Sequence, residues 1–126
     1  MKTNRCTVQQ LLAGFLSVAL GAFGAHALKS ALSKEMANMY DTAARYQMVH
    51  ALALFAVGWA ASLQNSKNAG TLNVSGWAFV IGILLFSGSL YLLSLTGTGA
   101  WGTVTPLGGL SLLIGWGSLT WSILKS

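Results

Sequence analysis

Charged side chains are scarce in this sequence. Its 126 residues include seven Lys or Arg and two Asp or Glu, so only 7% are charged while 54% are hydrophobic. A soluble domain carries about a quarter charged residues, which keep its surface hydrated. So few charges cannot solubilise a chain of this length. Most of its surface must therefore face lipid, which places the protein in a membrane.

Cysteine is almost absent as well. The single cysteine, Cys6, excludes an internal disulfide and a multi-cysteine metal site. The two histidines, His26 and His50, lack the third and fourth ligands of a usual zinc site, and no haem-attachment motif is present. We therefore predict no metal site and no cofactor.

The lack of acidic residues argues against catalysis. Glu35 and Asp41 are the only two, and both lie on a polar segment without the paired arrangement that general acid–base chemistry uses. The serines lack the Gly-x-Ser-x-Gly motif. The stretch "TGTGAWG" lacks the lysine of a phosphate-binding loop. The sequence predicts that the protein is not an enzyme.

The net charge of +5 is best interpreted as membrane topology. The basic residues form no patch with interleaved aromatics, so we predict no nucleic-acid partner. With four spans, one membrane side carries Lys2, Arg5, Lys67 and Lys125, and the other carries Lys29, Lys34 and Arg45. This small excess favours cytoplasmic termini by the positive-inside rule, in a bacterial inner (plasma) membrane.

Four apolar segments predict four membrane-spanning helices. They cover residues 8–28, 46–63, 76–95 and 107–124. The first, at roughly 31 Å of helix, matches the hydrocarbon thickness of a bilayer. Helix is the expected state because backbone groups in lipid must be hydrogen-bonded within their own segment.

The segment of residues 33–45 differs from the spans because polar residues alternate with apolar ones at helical spacing. Ser33 is suited to an N-cap, and Asp41 precedes Arg45 by four residues, which favours an ion pair. We predict an amphipathic helix at the membrane interface. No proline or glycine separates it from the second span, which leaves open one helix over residues 33–63. The predicted fold is a single all-α domain: an integral membrane four-helix bundle with this interfacial segment before the second span.

Small residues recur at helical spacing in the first and last spans. The two stripes are Gly14, Ser17, Gly21 and Gly24, and Gly108, Ser111, Gly115 and Ser118. Small side chains let helices approach closely in lipid. We interpret the stripes as packing within the bundle. A contact between copies in a homo-oligomer is the alternative, and the two can coexist.

Polar residues gather where the first span ends and the second begins. The predicted cluster consists of His26, Lys29, Asp41, Arg45, Tyr46, Gln47 and His50. Ionisable residues near membrane depth are functional candidates. The cluster could tie helices together by hydrogen bonds, or bind a lipid head group or small anion. Proton transfer by the histidines and metal or haem ligation are further alternatives.

Four blocks carry a family resemblance. "GAFGAHALK", "YQMVHALALF", "FSGSLYLLSLTG" and "TPLGGLSLLIGW" occur in this order within roughly residues 10 to 122. Together they resemble the YgdD/YwdK family of small bacterial inner-membrane proteins, which has relatives in eukaryotes. The resemblance implies a four-span integral membrane protein. It implies no reaction, and it assigns no functional residues.

The sequence therefore favours a non-enzymatic accessory or lipid-associated bundle, whose partners are membrane lipids, a further copy or another membrane protein. The alternative is a small transporter or channel, either as a single chain or as an oligomer. Since no predicted span contains Asp or Glu, its ionisable groups would be those of the polar cluster around His26 and His50. The discriminating observation is whether these histidines face a water-filled crevice or lie sealed between helices.

Overall fold

The computed structural model describes residues 5–28, 30–63 and 69–125. Every regular element in these ranges is helical, which confirms the all-α prediction. Five α-helices are connected or extended by shorter helical turns. They are α1 (Arg5–Phe23) with a π-turn (Gly24–Leu28), α2 (Lys34–Leu63), α3 (Ala69–Gly82), a π-turn (Ile83–Ser87) leading into α4 (Gly88–Thr96), a 3₁₀ turn (Gly99–Thr103), and α5 (Thr105–Leu124).

The described residues include three helical stretches long and apolar enough to cross a membrane. These are Lys34–Leu63, Gly70–Thr96 and Gly99–Leu124, while Gly14–His26 is apolar but shorter. Large apolar side chains are exposed along all of the α-helices, as a surface in contact with lipid requires. The membrane-bundle prediction is confirmed. The limits of the four spans relative to the bilayer stay a prediction.

Helix α2 is one continuous helix of 30 residues, about 45 Å long. The Ser33 hydroxyl accepts a hydrogen bond from the backbone N–H of Met36 at 3.2 Å, so the predicted N-cap is confirmed. Tyr40, Ala43 and Ala44 are buried, so the first half of the helix packs within the bundle on this face. Its opposite, charged face is exposed, and its location at the membrane interface stays a prediction.

The end of α1 is fastened to α2 at a π-turn. The Tyr40 hydroxyl donates to the Leu20 carbonyl at 2.6 Å. In an α-helix that carbonyl would accept from the N–H of Gly24, which is the first residue of the π-turn. The Tyr40 ring lies so close to Gly24 that a Cβ atom there would overlap it. Glycine therefore allows the close approach that the hydrogen bond needs.

The core lies between α2, α3 and α5. Its buried apolar residues are Ala53, Leu54, Val57, Ala60, Leu72, Phe79, Leu112 and Leu119. Serine hydroxyls donate to backbone carbonyls of neighbouring helices: Ser75 to Gly115 at 2.8 Å, Ser87 to Ala43 at 2.8 Å, and Ser111 to Ala78 at 2.7 Å. No buried side-chain N or O atom of the described residues is left without a partner. Such bonds hold helices together where lipid supplies no hydrophobic drive.

The chain reverses between α4 and α5 through a glycine. Gly97 has a φ of 71° and its N–H bonds the Leu93 carbonyl at 2.8 Å, which ends α4. Pro106 stands in the first turn of α5, where its missing N–H costs no helical bond. The Thr105 hydroxyl lies 2.6 Å from the Ser89 hydroxyl, which links the start of α5 to α4.

Candidate functional site

His50 is the most constrained polar residue of the predicted cluster. It is only 5% exposed. One ring nitrogen, Nδ1, lies 2.7 Å from the Tyr46 carbonyl, and the indole N–H of Trp116 donates to Nε2 at 3.1 Å. A carbonyl can only accept and an indole N–H can only donate. The geometry therefore requires a neutral imidazole with its hydrogen on Nδ1.

Aromatic rings enclose this histidine. Tyr46 stacks on His50 and on Phe86, with ring centroids 5.8 Å and 4.4 Å apart. Phe79 lies 5.7 Å from His50 and 5.2 Å from Trp116. We name Tyr46, His50, Phe79, Phe86 and Trp116 the aromatic cluster. It joins α2 to α5, to α3 and to the π-turn that follows α3. The contacts are the hydrogen bond between Trp116 and His50 and several ring contacts.

Gln47 belongs to a different set of contacts. Its side-chain oxygen accepts from the Tyr91 hydroxyl at 2.7 Å, which ties α2 to α4. The Tyr91 ring meets Tyr40 edge-on, with centroids 5.0 Å apart. This side of α2 thus faces α1 and α4, away from His50. The Tyr40 and Tyr91 hydroxyls and the Gln47 amide therefore form hydrogen bonds between helices.

Asp41, Arg45 and His26 of the predicted cluster are exposed at the surface of the bundle. Arg45 and Asp41 form the predicted ion pair, 2.8 Å long, with side chains 72% and 68% exposed. His26 is exposed on the first π-turn. Lys29 lies outside the described residues.

The six described residues of the predicted cluster therefore have different surroundings. Consecutive residues of an α-helix point about 100° apart, so neighbours in sequence face different helices. For this reason the Arg45 side chain is exposed, while Tyr46 belongs to the aromatic cluster and Gln47 faces α4. Tyr46 and His50, four residues apart, do share a face. The joint action of these side chains as one site stays a prediction.

A groove opens between α2 and α5 beside the aromatic cluster. Its volume is about 680 Å³. The lining residues are Arg45, Tyr46, Val49, His50, Phe86, Pro106, Gly109, Leu110, Leu112, Leu113 and Trp116. Tyr46 and Trp116 are each 41% exposed, so their rings form part of its wall. We name this feature the α2–α5 groove. Most of the residues that line the groove are apolar, and Arg45 contributes one guanidinium group.

A smaller cavity of about 260 Å³ lies between α1 and α2. Asp41 and Asn38 line it together with Gly21, Gly24 and Tyr40. Asp41 is already paired with Arg45, and Tyr40 with Leu20. Among the described residues, no three His, Cys, Asp or Glu side chains come close enough to hold a metal ion.

The last-span stripe lies at tight interhelical contacts. A Cβ at Gly108 would overlap the Phe86 backbone, and one at Gly115 would come within 2.7 Å of the Phe79 ring. Ser111 bonds the Ala78 carbonyl, and Ser118 is half-buried. The last-span stripe thus packs against the helix that contains Phe79 and Phe86, and a contact between copies stays an alternative.

The first-span stripe is less uniform. Gly24 meets Tyr40, and Gly21 lies at ordinary contact distance from Ala44. Ser17 is fully buried. No atom lies within 4 Å of where a Cβ of Gly14 would be, so that end of the stripe is open.

Sequence reasoning missed the partners of the polar residues. Trp116, Phe79 and Tyr91 carry the interhelical contacts but come from distant spans. One signal was available: a mid-span tryptophan has an N–H that needs an acceptor in lipid, although the sequence does not select which acceptor.

The fold and its interior define a polytopic helical membrane protein with polar side chains bonded between helices. Comparison with known proteins then identifies the family. The chain belongs to the family described as "Protein of unknown function (DUF423)", which matches residues 20–109. The resemblance found in the four sequence blocks is thereby confirmed.

Curated relatives share most of their length with this chain. A UPF0382 membrane protein of Haemophilus influenzae is 46% identical over 123 residues, covering 98% of this chain and 96% of its own. YwdK of Bacillus subtilis is 43% identical over 101 residues, 80% of each chain. The inner membrane protein YgdD of Escherichia coli is 39% identical over 111 residues, covering 83% of this chain and 78% of its own. No solved structure matches the chain.

Proposed function

We propose that the protein is a non-enzymatic, lipid-associated accessory protein of the bacterial inner membrane, with cytoplasmic termini. The observation that carries this proposal is the environment of His50. The ring is buried, and both of its nitrogens are engaged by Tyr46 and Trp116. An imidazole held in this way fastens helices to one another.

The same observation disfavours the transporter alternative. Proton-coupled transport uses an ionisable group within the membrane that water can reach. Glu35 and Asp41 lie on the exposed polar face of the first half of α2. Phe79 and Trp116 cover the imidazole of His50 within the bundle. His26 is exposed on the first π-turn, so this argument applies to His50, the histidine inside the bundle.

Three features support the proposed location, topology and partner. The relative YgdD is named an inner membrane protein, and we extend that location to this chain. The termini and the loop with Lys67 carry four basic residues against three on the other side, which favours cytoplasmic termini. The exposed apolar side chains on each α-helix make membrane lipid the partner that the surface requires.

The test combines two measurements on the purified full-length protein. Native mass spectrometry after gentle extraction should show phospholipid retained on the protein. In vesicles with an internal pH dye, proton flux should equal that of protein-free vesicles. Retention of no lipid would overturn the lipid-associated role. A proton flux that His50→Leu abolishes and His26→Leu leaves intact would overturn the proposal in favour of a transporter.

A further inference from the structure

The α2–α5 groove is about as long as one membrane leaflet is thick. Along α5 it runs from Pro106 to Trp116, a distance of about 15 Å at the rise of an α-helix. The hydrocarbon core of a bilayer is about 30 Å thick, so half of it is about 15 Å. On the predicted span of residues 107–124, we expect the Pro106 end near the membrane surface and the Trp116 end near the midplane.

The two ends of the groove differ in chemistry. At the midplane end, the imidazole of His50 and the indole of Trp116 satisfy each other, so only ring surfaces face the groove. At the surface end lies Arg45, the only charged side chain among the described lining residues. The groove is therefore apolar at depth and cationic at the surface.

The walls between these ends suit a flexible hydrocarbon chain. Leu110, Leu113 and Val49 line the groove, and Gly109 leaves its side open because it has no side chain. A Cβ at Gly109 would meet only the Phe86 ring, at 3.8 Å. The groove is therefore not filled at Gly109.

The arginine is available to an anionic group. Its ion pair with Asp41 is exposed, and exposed pairs of this kind contribute little free energy, so a lipid anion can replace the carboxylate. A guanidinium binds phosphate oxygens through two parallel hydrogen bonds, which a phosphodiester at the membrane surface can accept. The long side chain of Arg45 can extend toward the lipid head groups.

We propose that the α2–α5 groove binds one acyl chain of an anionic glycerophospholipid, whose phosphate lies at Arg45. This inference rests on the proposed lipid-associated function and names the site and the class of lipid. The phosphate supplies the charge that Arg45 attracts, and the chain fills the depth from Pro106 to Trp116. The ring surfaces of Tyr46 and Trp116 hold the chain laterally.

Titration of delipidated protein with two lipids tests the site. Phosphatidylglycerol and phosphatidylcholine with identical acyl chains are added, and bound lipid is measured by native mass spectrometry. Wild-type protein should bind phosphatidylglycerol about tenfold more tightly, the effect of one charge-assisted contact. Arg45→Gln should remove this preference. The control Lys125→Gln changes a cation at the far end of α5 and should retain it.

Two glycines of α5 provide a matched pair for the hydrocarbon part. Gly109→Leu places a side chain in the groove and should weaken binding of both lipids about tenfold. Gly117→Leu makes the same change where nothing lies within 4 Å, and should leave binding unchanged. Asp41→Asn frees Arg45 from its ion pair and should tighten binding of phosphatidylglycerol.

A crosslinking measurement on the unaltered chain keeps the proposal testable if Gly109→Leu fails to fold. A phosphatidylglycerol with a photoreactive group at the end of one acyl chain should label Leu113 and Trp116. Ile114 is exposed on α5 but does not line the groove, so it should be labelled much less. Equal labelling of Ile114 would overturn the proposal.

The outcomes separate the site from the general function. Lipid that binds equally to wild type, Arg45→Gln and Gly109→Leu would refute the groove while leaving lipid association intact. Wild-type protein that binds neither lipid would refute both. A lipid-free dimer that Gly109→Leu dissociates would show that a second copy fills the groove, which also overturns the proposal.

Discussion

The indole N–H of Trp116 donates to Nε2 of His50 across 3.1 Å and joins the middle of α5 to α2. Both side chains are expensive to place in hydrocarbon without a partner, and each satisfies the other. Phe79 packs against both rings and closes the contact from α3. This pair therefore sets the relative register of the two helices.

Trp116→Phe tests the energetic contribution of this pair. The ring contact with Phe79 is largely kept while Nε2 of His50 loses its donor. The free energy of unfolding in mild detergent should fall by about 1 kcal/mol, the range for interhelical hydrogen bonds in membranes. Trp121→Phe, on an exposed ring near the end of α5, should change it much less. Equal losses in the two variants would contradict a specific role for the bond.

Gly108→Ala tests the closest helix approach. Its Cβ would overlap the backbone of Phe86, which cannot move as an isolated side chain could. Overpacking of this kind should lower the free energy of unfolding by about 1–3 kcal/mol. Gly117→Ala has free space and gains helix propensity, so it should be neutral or stabilising. Thermal unfolding of the two variants in one detergent gives the comparison, and matching melting temperatures would refute the close contact.

Tyr40→Phe tests the fastening of the first π-turn. The variant keeps the ring against Gly24 but removes the hydrogen bond to the Leu20 carbonyl. Backbone amides of residues 24–28 should then exchange faster with deuterium, because this turn opens more readily. Tyr46→Phe is a matched control, since the Tyr46 ring stacks on Phe86 and contributes through its face. Unchanged exchange in Tyr40→Phe would show that ring packing alone holds the turn.

Ser87→Ala tests a serine bond between helices. Loss of the donor leaves the Ala43 carbonyl with one hydrogen bond fewer between α2 and the second π-turn. We expect a loss of about 0.5–1.5 kcal/mol in the free energy of unfolding. Ser62→Ala removes a bond of similar length within one exposed turn of α2 and should cost less. A smaller effect for Ser87 than for Ser62 would contradict its interhelical role.

Local features of the fold were readable from the sequence because they depend on neighbouring residues. The Ser33 cap, the ion pair between Asp41 and Arg45, and the stacking of Tyr46 on His50 all follow from helical spacing. The continuity of α2 follows from the absence of glycine and proline across the junction at residue 45. Each of these needs knowledge of one helix only.

The π-turns and the partners of the polar residues could not be read in this way. They depend on which helices are neighbours and on their relative rotation. Gln47 pairs with Tyr91, 44 residues later, and His50 with Trp116, 66 residues later. The sequence shows that such residues need partners in lipid, but several acceptors and donors lie at similar depth. Only the packing of the helices selects among them.

The orientation of the bond at His50 also determines its coordination chemistry. Metal ions bind the unprotonated nitrogen of an imidazole through its lone pair. Here Nδ1 carries the hydrogen, and the lone pair of Nε2 already accepts the indole hydrogen of Trp116. A metal or haem iron could therefore bind this ring only by displacing α5 from its contact. Both nitrogens of the imidazole are thus occupied by hydrogen bonds within the protein.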